Sequence, residues 1–132
     1  MLLAAGCGSG SVPTFPVEGI VTLPDGTPLA GAGIELASSS PATAGVTARG
    51  QTDAAGRFRL TTFLNGVAHE GAVAGPHKVV VMPPAPPPGS PPDTPDRRDL
   101  VPAAYRSHDS TPIEFTVTPS GENRLSIPLP PR

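Results

Sequence analysis

The chain has no tryptophan, one tyrosine, one cysteine and, at Lys78, a single lysine. Each scarcity removes a class of function. One thiol forms neither an internal disulfide nor a cysteine-based zinc site. The arginines are scattered and the net charge is −2, so no basic stripe exists to displace counterions from a phosphate backbone. No nucleic-acid partner is expected. No stretch of 18 apolar residues is present, so no helix of this sequence is expected to span a bilayer. Aromatics make up 4% of the chain, which leaves a thin core of Val, Leu, Ile and a few Phe. It also argues against a strong aromatic platform for stacking sugars.

The usual catalytic and metal patterns are missing too. His69, His77 and His108 stand far apart, without H-x-x-x-H or H-x-H spacing. Asp25 and Asp53 are isolated, and Asp93, Asp96 and Asp99 are interleaved with Arg97 and Arg98, unlike an oxygen-rich calcium loop. No G-x-S-x-G elbow occurs. The reading is a protein that is not an enzyme and takes no metal and no cofactor.

Proline (20) and glycine (15) are abundant, together about twice the usual ~12%. That composition suits either disorder or many short strands joined by tight turns. The placement of apolar residues decides for strands, because it has period two. Val17, Gly19, Val21 and Leu23 alternate with Glu18, Ile20 and Thr22. Ala32, Ile34 and Leu36 flank Glu35, and Val46 and Ala48 alternate with Thr47 and Arg49. Phe58 and Leu60 alternate with Arg57, Arg59 and Thr61, and Val79-Val80-Val81 forms a short apolar run. Ile113, Phe115 and Val117, then Leu125, Ile127 and Leu129, complete the set. Turns fall between them. Asp25-Gly26 and Asp53-x-x-Gly56 are read as hairpin turns, with the Asp side chain bonding backbone N–H groups ahead of it and Gly at positive φ. Residues 64–76 are read as a glycine-rich loop.

The pattern predicts an all-β fold: a seven-stranded antiparallel sandwich. Val21, Ile34, Phe58, Leu60, Val79, Phe115 and Ile127 are the expected core. Pro128 and Pro130 cannot donate to a ladder and mark the last strand as an edge. Residues 83–95 hold eight prolines in thirteen positions. This segment is expected to project as a stiff polyproline-like loop, with Pro83, Pro84, Pro86, Pro87 and Pro88 as a candidate partner-binding surface.

The N-terminus reads Leu2-Leu3-Ala4-Ala5-Gly6-Cys7-Gly8-Ser9-Gly10-Ser11. An apolar run ending in Ala-Gly-Cys, then a Gly/Ser stretch, resembles a bacterial lipoprotein cleavage site. The resemblance implies that Cys7 becomes the mature N-terminus and carries acyl chains, with the Gly/Ser stretch as a flexible tether. The apolar run is about six residues, shorter than the ~7–15 of a signal core, so a longer signal is expected ahead of Met1. Gly8 in place of Asp implies the outer-membrane class. The expected location is extracytoplasmic, anchored at the outer membrane or its periplasmic face.

Four further stretches carry a second resemblance: Pro16-Val17-Glu18-Gly19-Ile20-Val21-Thr22, Asp25-Gly26-Thr27-Pro28-Leu29-Ala30-Gly31-Ala32, Thr52-Asp53-Ala54-Ala55-Gly56-Arg57-Phe58, and Gly75-Pro76-His77-Lys78-Val79-Val80-Val81. Together they resemble the transthyretin-like (prealbumin-like), carboxypeptidase-regulatory-like domains of short bacterial lipoproteins. The resemblance implies a Greek-key sandwich with the proline segment as an insertion. The resulting division is a signal remnant over 1–7, a tether over 8–14, and a β-sandwich over 15–130 that carries the loop 83–99. The implied role is non-enzymatic binding or structure at the envelope. Its partners would be the membrane, through lipid on Cys7, and an envelope protein or polysaccharide. Two alternatives stand beside it. Tyr105-Arg106-Ser107 is similar to the C-terminal motif of the transthyretin-related hydroxyisourate hydrolases, though here it is internal and lacks the Gly. A passive spacer is the other.

Overall fold

The alternating segments form strands because each places β-branched or aromatic residues on one face and polar residues on the other. The computed structural model describes residues 13–84, 89, 91, 100–119 and 122–131. Among them are the strands β1 (Thr14–Phe15), β2 (Val17–Thr22), β3 (Gly33–Ser38), β4 (Thr47–Gln51), β5 (Arg57–Arg59) and β6 (Thr61–Leu64). They are followed by β7 (Val67–Glu70), β8 (Ala72–Val73), β9 (Gly75–Met82), β10 (Glu114–Val117) and β11 (Asn123–Pro128). Two 3₁₀ turns, Pro41–Thr43 and Ala103–Arg106, are the helical pieces that bear on the fold.

The strands form a six-stranded sheet in the order β10-β9-β3-β4-β6-β7, a three-stranded sheet in the order β11-β2-β5, and the small pair β1-β8. Val17, Val21, Phe58, Leu125 and Ile127 come from the small sheet. They pack in one buried cluster with Ile34, Leu36, Ala48, Val79, Val81 and Val117 from the large one. An all-β arrangement of two sheets sharing one core fits a β-sandwich. Of the expected core residues, six are buried, and Phe115 is half-buried against the cluster. Val79, Val80 and Val81 are all buried, so β9 is covered on both faces. It lies between β3 and β10, and the Ala103–Arg106 turn packs on it.

Three details depart from the sequence reading. First, the ladder is not antiparallel throughout: β11 runs parallel to β2, pairing Asn123 with Val17 and Ile127 with Val21. Period-two alternation is the same in either orientation and cannot reveal it. The buried Asn123 ties this register down. Its Oδ1 accepts the Thr118 N–H (2.8 Å) and hydroxyl (3.1 Å), while Nδ2 donates to the carbonyls of Thr118 (3.0 Å) and Pro16 (3.3 Å). β11 is an edge strand, with Arg124, Ser126 and Pro128 exposed opposite Leu125 and Ile127.

Second, the strand segments outnumber seven, because Pro16, Leu60, Gly71 and Ala74 interrupt extended runs where the chain passes between sheets. Third, the stretch read as a glycine-rich loop over 64–76 contains paired strands. Asn65 and Gly66 both have positive φ (54° and 80°), the type I′ pattern of a two-residue hairpin. They join β6 to β7 with Leu64 opposite Val67 and Thr61 opposite Glu70.

Candidate functional site

The two Asp turns are built by their own side chains. Asp25 Oδ1 accepts the Thr27 hydroxyl (2.7 Å) and the Thr27 N–H (3.0 Å). Those two bonds, the hydroxyl foremost, hold the Asp25 carboxyl below its ordinary pKa. Asp53 Oδ1 accepts the N–H groups of Ala55 (2.9 Å) and Arg57 (3.0 Å). Gly26 and Gly56 have φ of 89° and 76°. The Asp53 turn is not a closed hairpin. It carries the chain from β4 in the large sheet to β5 in the small one, and the Gly56 carbonyl accepts the Val21 N–H on β2 at 2.9 Å. In both turns the Asp Oδ1 is engaged with the turn's own groups.

Pro83 is half-buried and Pro84 is buried, its Cβ lying over Gly31. The start of the proline segment is therefore seated on the domain. Cys7, Pro86, Pro87 and Pro88 lie outside the described residues, as do Asp93, Asp96 and Asp99.

The outward face of the small sheet is where functional side chains converge. Register places Arg124, Glu18 and Arg59 in one row across β11, β2 and β5, and Ser126, Ile20 and Arg57 in the next. Rows of one sheet face lie ~7 Å apart along a strand, and the outer two strands of three ~10 Å apart. Three guanidinium groups thus share a patch little wider than a short peptide. With Gln51 and Asp53 they line an open basin of about 840 Å³. Glu18 sits between Arg124 (3.7 Å) and Arg59 (4.0 Å). Arg124 also reaches Glu122 at 3.1 Å. Arg57 makes no ion pair among the described residues. Glu70 and Glu122 stand at the opposite end, in a smaller adjoining hollow that shares Glu18, Arg59 and Arg124. Such exposed pairs contribute little to stability, so the row is held loosely and can exchange partners. Arginine forks match carboxylates in a planar, two-point fashion.

The sequence reading did not find this patch. Alternation puts Arg57 and Arg59 on the polar side of one strand. Bringing Arg124 beside them requires a pairing between strands far apart in the chain, and no local signal announces it.

The histidines occupy three unrelated places. His69 lies on the edge strand β7. His108 Nε2 bonds Glu35 Oε1 at 2.5 Å, and Glu35 also pairs with Arg49 at 2.9 Å. Tyr105 packs against the core, and no hydrogen bond or ion pair among the described residues joins Tyr105 or Arg106 to a histidine. Among the described residues no group of three His, Cys, Asp or Glu side chains could hold a metal.

His77 is 1% exposed. Its Nδ1 lies 2.9 Å from the Gly75 carbonyl. Burial lowers its pKa from 6.5, and the Gly75 carbonyl opposes this only in part. The unfolded chain therefore takes up the proton first. The stability contributed by neutral His77 is complete above about pH 6.5 and is lost as pH falls from there through the depressed folded value. Urea midpoints measured from pH 7.5 to 5 are expected to fall in that window. His77→Asn, which can still donate to Gly75, should flatten the fall. An equal slope in the variant would remove His77 as its cause.

No family model, no curated protein and no solved structure matches the chain.

Proposed function

We propose that this protein is a non-enzymatic binding module: a transthyretin-like β-sandwich held at the cell envelope by lipid on Cys7. Its binding surface is the arginine-bearing face of the small sheet, and its ligand is an acidic segment of another envelope protein. The observation that carries the reading is that open face. The large sheet covers the inner side of the small sheet, and nothing among the described residues covers the outer side, where Arg57, Arg59 and Arg124 stand. The face has no aromatic platform, which favours a carboxylate-bearing peptide over a sugar. The anchor is supported by the Ala-Gly-Cys run and the Gly/Ser stretch that follows it. The domain has no helix among its described residues able to cross a membrane.

The test is fractionation of cells expressing the full reading frame. Wild-type protein is expected in the membrane fraction with an acylated Cys7, and Cys7→Ser in the soluble fraction with an unchanged circular dichroism spectrum. A wild-type chain recovered soluble, with Cys7 unmodified by mass, would end the anchoring reading. On the binding side, chemical crosslinking in membranes is expected to join residues of the face to an acidic partner. Arg57→Glu with Arg59→Glu should abolish that crosslink. A crosslink that survives both substitutions would move the site elsewhere.

A further inference from the structure

Among the described residues three large apolar side chains are more than 45% exposed, and two of them sit on one hairpin: Phe63 at 65% and Val67 at 56%. The hairpin β6–β7 ends in Phe63-Leu64-Asn65-Gly66-Val67-Ala68, a stretch without a charge. Its apolarity is two-sided. Phe63 pairs with Ala68 on one face and Leu64 with Val67 on the other. The inward-facing Thr62, one step nearer the core, is fully buried, whereas Val67 at the tip is not. The tip therefore extends past the core with apolar groups on both sides. A protein partner docking on a sheet covers one face. A medium that wets both faces satisfies this tip fully, and the bilayer interface is such a medium.

Position agrees with this. In the large sheet, Thr62 pairs with Ala48 and Ala37 with Thr47, so Leu64 lies at the end marked by Ser38, His77 and Gly75. Gly75 pairs with Val117. Thr14 pairs with Val73, two residues before Gly75, and β1 also touches β7. The N-terminal strand and the hairpin tip thus share one end of the sandwich. Six residues separate Cys7 from Thr14. A Gly/Ser-rich tether of that length spans about 15 Å as a coil and about 25 Å when stretched. An acyl anchor at Cys7 would hold this end of the domain against the lipid.

We propose that the β6–β7 hairpin seats its Phe63–Val67 tip in the headgroup–acyl boundary of the membrane that carries the anchor, fixing how the domain stands on that surface. This rests on the lipid reading of Cys7. Seated this way, the tip adds a second point of attachment, and a single pivoting tether becomes a defined posture.

The test uses acylated protein purified from membranes, with Phe63→Trp, in vesicles of phosphatidylethanolamine and phosphatidylglycerol. Phe63 is exposed, so the substitution leaves the fold intact. The wild-type chain has no tryptophan, so all indole emission comes from the introduced ring. The expected result is a blue-shifted emission that is quenched by lipids brominated near the top of the acyl chain. Adding Val67→Ser should weaken the quenching. An indole emitting as in water, while mass shows an acylated Cys7, overturns the seating and leaves the anchor standing. An indole shielded from water yet untouched by brominated lipid is the sign of a second copy covering the tip, and it also overturns the seating. An unmodified Cys7 overturns anchor and seating together and is recognised by mass alone.

Discussion

Truncating Phe58 to alanine is expected to cost about 3–5 kcal/mol of folding stability. Phe58 is 3% exposed, and it is the only buried phenylalanine. Phe15 and Phe115 are half-buried and Phe63 is exposed. The other fully buried side chains of the core are aliphatic, with Phe15, Tyr105 and Phe115 packed at its margin. Across the strand pair, Gly19 lies opposite Phe58, and a Cβ at Gly19 would sit 2.4 Å from the ring. The ring fills the room that Gly19 leaves vacant. Removing it opens a space bounded by backbone on one side, which cannot collapse easily. A domain of this size has only ~5–15 kcal/mol in total, so the loss removes a serious fraction of it. Urea denaturation followed by circular dichroism measures the loss. A value below about 1.5 kcal/mol, the range of a mild core trimming, would show that the ring is not central.

Placing valine at Gly56 should be nearly as damaging, for two separable reasons. Its φ of 76° is a region where a Cβ costs about 1–2 kcal/mol. The added atom would also stand 2.7 Å from the Val21 carbonyl and 2.8 Å from Pro28 Cβ, and such overpacking costs about 1–3 kcal/mol. Relief by movement would break the Val21–Gly56 hydrogen bond that fastens the corner to β2. Gly26 supplies the control. Its φ is 89°, but nothing lies within 4 Å of an added Cβ. Gly26→Ala should therefore show the backbone cost alone. Equal losses in Gly26→Ala and Gly56→Val would mean that the crowding at residue 56 contributes nothing.

Much of the fold was legible because one face of nearly every strand is buried. Alternation at Val17–Val21, Ile34–Leu36, Phe58–Leu60 and Leu125–Leu129 named the core from the chain alone. What stayed hidden was pairing. The β6–β7 hairpin was obscured because its tip is apolar on both faces and shows no alternation there. Its Asn65-Gly66 dipeptide is among the strongest short hairpin signals, but it sits in a stretch whose many glycines read as loop. The parallel pairing of β11 and the row Arg124–Glu18–Arg59 depend on which distant strands meet. Local propensity carries no information about that.

The clasp between Asn123 and the Pro16–Val17 segment bears on when the molecule can fold. β2 is the middle strand of the small sheet, and one of its two neighbours, β11, begins at Asn123, 107 positions after Pro16. Until residues 123–127 have emerged, β2 lacks that neighbour and Asn123 cannot make its bond to the Pro16 carbonyl, the one distant contact of its four. Contacts of such sequence separation are slow to form and cannot form during early synthesis. A chain threaded through a translocation pore from its N-terminus would thus keep the small sheet incomplete until β11 had crossed. It would complete that sheet only on the far side, where β11 arrives to lock β2.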